Sequence, residues 1–584
     1  MRRHVTVGFL VLAALAPATR AAAQDSVIVI NPDAPVDQAA ERPGFPPGMV
    51  QRLLAFYNDS ATTRLEGEVV LPRGARMTGA VAVLRGPVTI AGEVAGPLVV
   101  INGNLHLAST GVVRGDILVV GGTFSADSGS VHGGSVDQLT QAAPVARSGS
   151  GDLEARARRQ GILDFGGAQR SFQTGQVRTT LFLSSGGTYN RVEGLPVTLG
   201  PRLDWIAGPR TTARLDLQAI IRTAGDPTNL REDVGYVAST EWNLSIRKRH
   251  AFGFGFRASQ TAASIEDQPL SRSEDGWSAL LLRRDYRDYY INEGIGGYVF
   301  SHFGPDFRLD VGARTERQRS VRNATAWSLF RSDQPWRPNP LIDDGRYNTV
   351  GIGIEFDDRN QEQRPSSGWW LRGRLERSSS RNVAPLSLPS AIRGSIPTDG
   401  SYAFSRLWFD ARVYDRLTPD MRLNARVLGD GWVGGDPLPM QRRVALGGPD
   451  VLPGYDFRAV NCAAGGYADP AVPALCDRML AAQLELRSRV NLGLLWHYRD
   501  KAHPEFDRAF GLGEADLVVF TDAGKAWLTG AGPGRVPNDR IPAFREWKAD
   551  IGVGIDAGGI GAYLAKGFAN GQPVQFSIRL QQRF

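Results

Sequence analysis

The sequence predicts an all-β chain in which a small β-solenoid precedes a transmembrane antiparallel β-barrel. Three observations lead there. From about residue 178 to the end, apolar and polar residues alternate with a period of two in segments of about ten residues, the length a tilted membrane strand needs. The polar faces of those segments mix Arg with Asp and Glu, as a water-filled lumen does, and no partner layer of helices is in sight. Ahead of them, Leu65 to Val136 carries short Val/Ile/Leu pairs broken by recurring glycines.

Composition narrows the function classes. The 584 residues are 42% hydrophobic and 22% charged, with 68 Gly against 6 Met, which suits strands and turns better than helices. The formal charge of +7 is small for this length, and Arg, Asp and Glu are interleaved throughout. A nucleic-acid partner, which requires a concentrated basic patch, is therefore not expected.

The first residues read as a secretion signal over 1–23. Met1-Arg-Arg-His is a basic start, Val5 to Ala16 an apolar run too short to cross a bilayer, and Ala21-Ala22-Ala23 a small-residue cleavage site before Gln24. Residues 24–62 form a Pro- and Ala-rich linker with one short helix, in which Val50, Leu53, Leu54 and Tyr57 share a face. No later run reaches the roughly 20 apolar residues of a membrane helix, so membrane contact has to be made by strands.

The solenoid is expected over 63–140. The pattern Gly-x-Val/Ile recurs at Gly67, Gly79, Gly92, Gly115 and Gly134, where glycine takes the corners of stacked coils. Gly92-Glu-Val-Ala-Gly-Pro-Leu-Val-Val-Ile-Asn-Gly and Arg114-Gly-Asp-Ile-Leu-Val-Val-Gly-Gly resemble the polymer-forming bactofilin-like domains. That resemblance implies a compact periplasmic module that stacks on itself or on a partner protein; a capped spacer without a partner is the alternative. Residues 141–176, with Ser148-Gly-Ser-Gly-Asp and a charged run that suits a helical turn or two, read as a linker, and the barrel is expected over 177–584.

Within the barrel the alternation is explicit. Ala213, Leu215, Leu217, Ala219 and Ile221 interleave with Arg214, Asp216, Gln218 and Arg222; Phe307 to Ala313, Trp369 to Glu376, Leu407 to Tyr414, Ala482 to Val490 and Ala549 to Asp556 repeat the pattern. In lipid, only a closed barrel satisfies the backbone of such strands, and about 14 are countable as a lower bound. At the C-terminus Val574, Phe576, Ile578 and Leu580 share one face, Gln582 interrupts it, and Phe584 ends the chain.

One stretch breaks the alternation. Arg442-Arg-Val-Ala-Leu-Gly-Gly-Pro-Asp-Val-Leu-Pro-Gly-Tyr-Asp-Phe-Arg458 is too rich in Gly and Pro for a ladder strand and lies between two strand patterns, so it reads as a long shaped loop. The two cysteines, Cys462 and Cys476, follow it. In an exported chain they suit a disulfide closing a loop of about 15 residues, whereas two thiolates without nearby His do not complete a zinc shell.

Several separated segments resemble the bacterial surface antigen superfamily, the outer-membrane assembly factors and two-partner-secretion translocators. They are Tyr189-Asn-Arg-Val-Glu-Gly-Leu, Phe356-Asp-Asp-Arg-Asn through Pro365-Ser-Ser-Gly-Trp, Leu446-Gly-Gly with Gly454-Tyr455, and Phe520-Thr-Asp-Ala-Gly-Lys-Ala-Trp527, in this order along the barrel. The resemblance implies a barrel of about 16 strands. It also implies a lumen loop, here with Gly447, Gly448, Pro453, Gly454, Tyr455 and Arg458, whose tip Arg meets an acidic residue of the wall strand that carries Asp522 and Gly524. The Arg position of the tip is Pro453, so Arg458, or Arg442, is expected to supply the charge to Asp522. Phe576, Ile578, Leu580 and Phe584 resemble an assembly signal of outer-membrane barrels. The family's polypeptide-transport-associated domains have no counterpart, the solenoid standing in their place.

The resemblance implies a chain that translocates or inserts polypeptide, or lipid, at the outer membrane, with membrane lipid and a polypeptide client or periplasmic protein as partners and no cofactor or metal. A barrel that only anchors the solenoid is the alternative. An enzyme is not expected: none of the 7 histidines lies in a triad or metal motif, there is no Gly-x-Ser-x-Gly elbow, and Gly552-Val-Gly-Ile-Asp-Ala-Gly558 sits in a strand pattern without a following helix. Ser301 beside His302 is the nearest candidate, and Arg283-Arg-Asp-Tyr-Arg-Asp-Tyr-Tyr290 reads as a charged, aromatic barrel rim.

Overall fold

A computed structural model describes residues 49–584 apart from 140–142, 144, 148–152, 156–166, 186–187, 209–210, 226–233, 248–249, 267–269, 305, 360–364, 388–391, 393–400, 419, 463–472, 492–513, 558–559 and 570. The secretion signal expected over 1–23 and most of the linker after it lie outside the described residues.

Helix α1, Met49–Asn58, is the short amphipathic segment, and Leu53 and Tyr57 are its buried face. Thr63–Leu139 then coils through three parallel sheets of five, four and four strands. In the five-stranded sheet Thr63–Glu66, Val81–Leu84, Leu98–Ile101, Ile117–Val120 and Val136–Leu139 lie side by side, so every coil stacks on the one before. Glycine is required where coils touch at corners: a Cβ on Gly115 would stand 2.5 Å from the backbone of Gly96. Val81, Val83, Leu98, Val100, Ile117 and Val119 fill the interior. The alternate residues Ala82, Leu84, Val99 and Ile101 face outward and are covered by Leu53 and Tyr57 of α1. This explains why these strands read as unbroken apolar runs: both faces are buried.

Between solenoid and barrel, Val145–Arg147 and Leu153–Ala155 pair antiparallel, and Asn58 clamps the second strand by accepting from and donating to the backbone of Leu153 at 2.7 and 2.8 Å. This strand replaces the start of the helical turn expected in the linker.

The barrel sheet begins at Gly167, ten residues before the expected boundary at 177. Its strands are β1 Gly167–Thr174, β2 Val177–Ser184, β3 Pro196–Gly208, β4 Thr211–Arg222, β5 Val234–Arg247, β6 His250–Ser264, β7 Tyr289–Phe303 and β8 Phe307–Ser320. They continue as β9 Asp344–Asp357, β10 Gly368–Ala384, β11 Tyr402–Arg416, β12 Met421–Gly435, β13 Arg478–Asn491, β14 Glu514–Thr529, β15 Lys548–Ala557, β16 Ile560–Gly567 and β17 Val574–Arg579. Each pairs antiparallel with the next, and the one remaining strand of the sheet, Arg535–Val536, is a two-residue parallel addition to the end of β14. Among the described residues seventeen antiparallel strands therefore stand against the 16 or so expected. Among the described residues no ladder joins β17 to β1 or β2.

The polarity of the sheet is reversed relative to a soluble fold. Leu215, Leu217 and Ile221 are 37, 41 and 43% exposed, while their neighbours Asp216, Gln218 and Arg222 are 8, 7 and 6% exposed. The same holds for Ile551, Val553 and Ile555 against Asp550 and Asp556. An apolar exterior round a charged interior is the signature of a sheet solvated by lipid outside. Inside, Arg202 meets Asp216 at 2.6 Å and Arg426 meets Asp410 at 2.8 Å across neighbouring strands, and Arg314 on β8 reaches Glu376 on β10 at 2.7 Å, so the lumen charges neutralise one another.

The β3–β4, β5–β6 and β7–β8 connections are two or three residues, while residues 265–288, 321–343 and 436–477 are long segments at the opposite end. The first holds helix α2, Arg272–Leu282, whose Ser271 and Glu274 cap its N-terminus reciprocally.

Candidate functional site

Residues 443–462 of the 436–477 connection fold back along the inner wall rather than away from it. Val444 bridges to Cys476 and Leu446 to Val460, closing the glycine-rich stretch into a loop within the loop. Cys462 and Cys476 are joined by a disulfide, S–S 2.09 Å. Val444, Leu446, Val451, Leu452 and Tyr455 pack on Leu428, Met479, Ala481 and Ala526 of β12, β13 and β14. Gly447 and Gly448 take φ of 116° and 113°, which side chains resist, and this reverses the chain sharply enough to seat the rest.

Three sets of contacts hold the loop across the lumen. At the tip, the Gly454 amide donates to Asp550 Oδ2 at 2.6 Å, the Gly567 amide donates to the Gly454 carbonyl at 3.1 Å, and the Tyr455 hydroxyl donates to the Ala549 carbonyl at 3.0 Å. Pro453 is buried beside it, at the tip position where the sequence resemblance implied an Arg. On the near side, Gln483 donates to the Asp450 carbonyl at 3.0 Å, and Asp450 Oδ2 receives Arg426 at 3.3 Å. Gly524, on the same inward face as Asp522, leaves room for Leu446, since a Cβ there would stand 2.9 Å from Leu446 Cδ1.

The third set is a buried ion cluster. Arg458 meets Glu266 Oε2 at 2.7 Å and Asp288 Oδ2 at 2.6 Å. Asp288 also receives Arg337 at 2.7 Å and Arg191 at 2.6 Å, and Arg191 reaches Asp285 at 3.0 Å. Phe457 is a flat surface for the cluster: the Arg458 and Arg337 guanidiniums lie 4.7 and 5.2 Å from its ring centre. The expectation that Arg458 pairs with Asp522 is therefore wrong. Arg458, at φ 57°, is aimed at the 265–288 connection, which supplies two carboxylates that the loop pattern does not announce. Arg442 does not substitute for it, donating instead to the Tyr290 hydroxyl at 3.4 Å.

Burial raises both acids, but their net shifts are opposite. Burial alone raises Asp288, but Arg458, Arg337 and Arg191 outweigh it and hold the carboxyl well below its ordinary value. Glu266 is pushed up by burial, which its attraction to Arg458 only partly offsets.

Asp522 belongs to a different partnership. It pairs with Arg583, whose guanidinium lies 3.7 Å from the Phe520 ring centre, and Asp550 stands opposite it on the neighbouring strand. Phe576 and Ile578 are 63 and 57% exposed on the outer face, yet the strand stops at Arg579. The amides of Leu580 and Gln581 donate to Glu274 Oε1 of α2 at 2.7 and 3.2 Å, Arg579 Nε donates to the same oxygen at 2.9 Å, and Arg579 also meets Asp450 at 3.2 Å. Leu580 is half-buried and Phe584 is 5% exposed, so the one-face expectation holds for Val574, Phe576 and Ile578 but not for Leu580: the tail turns inward because Glu274 and Asp522 collect its donors.

Sequence reasoning missed Glu266, Glu274, Asp288, Asp450, Asp550, Arg579 and Arg583. The signal for one of them was present in Arg283 to Tyr290, whose acids serve the cluster rather than a rim. Ser301 and His302, adjacent on β7, point to opposite faces of the sheet and do not form a pair.

No family model matches the chain, and no curated protein matches it in sequence. Solved structures similar to it include BamA from Haemophilus ducreyi lacking POTRA domains 1–3, at 14% identity and TM-score 0.39, covering 70% of each chain. CdiB from Acinetobacter baumannii is similar at 11% identity and TM-score 0.29, covering 69% of this chain and 60% of its own. CdiB from Escherichia coli is similar at 10% identity and TM-score 0.32, covering 72% and 67%.

Proposed function

We propose that this chain is an outer-membrane barrel of the surface antigen superfamily that inserts or translocates polypeptide, with its solenoid in the periplasm. The observation that carries this reading is the inward turn of the C-terminal tail. Amides that would continue the ladder beyond Arg579 are spent on Glu274 inside the lumen, which leaves the margin of β17 as a lateral boundary between lumen and bilayer. A boundary of that kind lets an extended segment pass from lumen to lipid by exchanging strand contacts, with no cofactor needed.

The loop supports a gating role within this reading. It crosses the lumen and is held by hydrogen bonds and ion pairs on β13, β15, β16 and the 265–288 connection, a set that can be released without unfolding the wall. The same occlusion favours a second reading, in which the barrel transports nothing and anchors the solenoid to the envelope.

Depletion of the protein, scored by the levels of folded outer-membrane proteins, separates the two, together with conductance in a planar bilayer before and after deletion of residues 63–140. Loss of folded outer-membrane proteins and a gated conductance support insertion. A silent barrel and an unchanged outer membrane support the anchor.

A further inference from the structure

We infer that the outer edge of β2 is the docking edge for the chain's own C-terminal strand, Val574–Phe584, and that β1 is a displaceable occupant of that edge. The inference concerns the seam itself and holds whether the barrel transports polypeptide or not.

Strand parity is the first observation. Seventeen consecutive antiparallel strands make β1 and β17 run in the same direction, so closing the sheet through β1 demands a parallel ladder at the seam. Without β1, sixteen strands remain, and β2 and β17 are antiparallel, the arrangement of an even-numbered barrel. β1 holds β2 through eight paired residues, from Gly167 opposite Ser184 to Thr174 opposite Val177, and thereby covers the edge that antiparallel closure needs.

The outer faces give the second. Leu181 and Leu183 of β2 are 50 and 52% exposed, a face made for lipid. β1 sets Arg170 opposite Leu181, exposed on that same face beside Phe172. An arginine on the lipid face is disfavoured at membrane depth. β17 offers Val574, Phe576 and Ile578 instead, all exposed and all apolar.

The tail gives the third. β17 has six residues in the ladder, fewer than the nine to eleven or so that span a bilayer. Leu580–Phe584 would complete that length, and the side chains that hold them inward, Glu274, Asp450 and Asp522, are partners that an outward swing releases.

The test uses the full chain in membranes, with engineered cysteine pairs. Ser171→Cys with Thr180→Cys reports β1 on β2, where these residues stand opposite each other. Thr180→Cys with, in turn, Ser577→Cys, Arg579→Cys or Gln581→Cys reports β17 on β2. We expect the first pair to cross-link in the unaltered chain. Replacing Gly167–Thr174 by a Gly/Ser segment of equal length, with Glu274→Ala and Arg583→Ala to free the tail from both of its holds, is expected to transfer the cross-link to one of the β17 pairs.

In the otherwise intact chain, Arg170→Leu is expected to shift the balance toward the β1 cross-link by roughly tenfold or more. Failure of the first pair to cross-link, absence of every β17 cross-link in the replaced chain, a Thr180 cross-link between two copies, or no response to Arg170→Leu each overturns the inference. None of these readouts depends on transport, so they separate it from the failure of the proposed function.

Discussion

Asp522, in the middle of a wall strand, is paired with Arg583, the penultimate residue of the chain, and both are buried. Removing one member of such a pair leaves a charge without its partner in a place water does not reach. Arg583→Ala or Asp522→Ala should each cost about 3–5 kcal/mol, while the double variant should recover part of that loss. Urea unfolding followed by the heat-modifiable mobility of the barrel measures the cycle. Arg583→Ala should also expose the tail to carboxypeptidase, and if Phe584 stays protected in that variant, Glu274 alone holds the tail.

The cluster around Arg458 makes an asymmetric prediction. Asp288 collects three guanidiniums, so Asp288→Asn removes the one negative charge that Arg458, Arg337 and Arg191 share and should cost about 3–5 kcal/mol. Glu266 carries its charge against a burial penalty, and Glu266→Gln keeps an acceptor for Arg458 while removing that penalty. It should be within about 1 kcal/mol of the native protein. Arg458→Ala should free the loop to proteases at neutral pH. A Glu266→Gln variant as labile as Asp288→Asn would show that the two acids act alike.

Much of the architecture was legible because its signal is local. The two-residue period of Leu215 to Ile221 and the glycine corners of the solenoid depend on no distant partner, and the 442–458 stretch announces a shaped loop by composition alone. The partners within the lumen were not legible. Alternation supplies many inward arginines and carboxylates, and which of them meet depends on how far strands and connections are offset in space. Arg458 therefore meets Glu266 and Asp288, far away in sequence, while Asp522 is taken by the chain end. β1 escaped notice for a related reason. Gly-Ala-Gln-Arg-Ser-Phe-Gln-Thr carries an arginine on its outward face, so the lipid pattern that identifies the other strands is missing.

The opposite shifts of Asp288 and Glu266 fix how the loop anchor responds to acid. Asp288 has a folded value below its unfolded one, so the stability it contributes is present above the unfolded value of about 3.9 and is lost as pH falls through the folded value. Glu266 has a raised folded value, so its contribution is complete below the unfolded value of about 4.3 and fades as pH rises through the folded one. Acidification from pH 7 to about 4.5 should therefore leave the loop held at least as firmly. Protection should be lost only in stronger acid, as pH falls below the unfolded value of about 3.9 and on through the depressed folded value of Asp288. Limited proteolysis of the loop with an acid-tolerant protease measures this, and loss of protection near pH 5 would assign the anchor to other groups.

Gly454 tests whether the tip is seated by its backbone. Its amide and carbonyl bond to Asp550 and Gly567, and no side chain fits between them: a Cβ would stand 2.5 Å from the Gly567 nitrogen and 2.6 Å from the Asp550 Cβ. Neither neighbour is free to retreat, because Gly567 belongs to β16 and Asp550 to β15, paired to each other in the wall. Gly454→Ala should therefore lift the tip and cost about 1–3 kcal/mol, with loss of protease protection at the loop. Pro453→Ala keeps the backbone contacts and should cost less than about 1 kcal/mol. If Pro453→Ala releases the loop and Gly454→Ala does not, the rigid proline rather than the close backbone approach seats the tip.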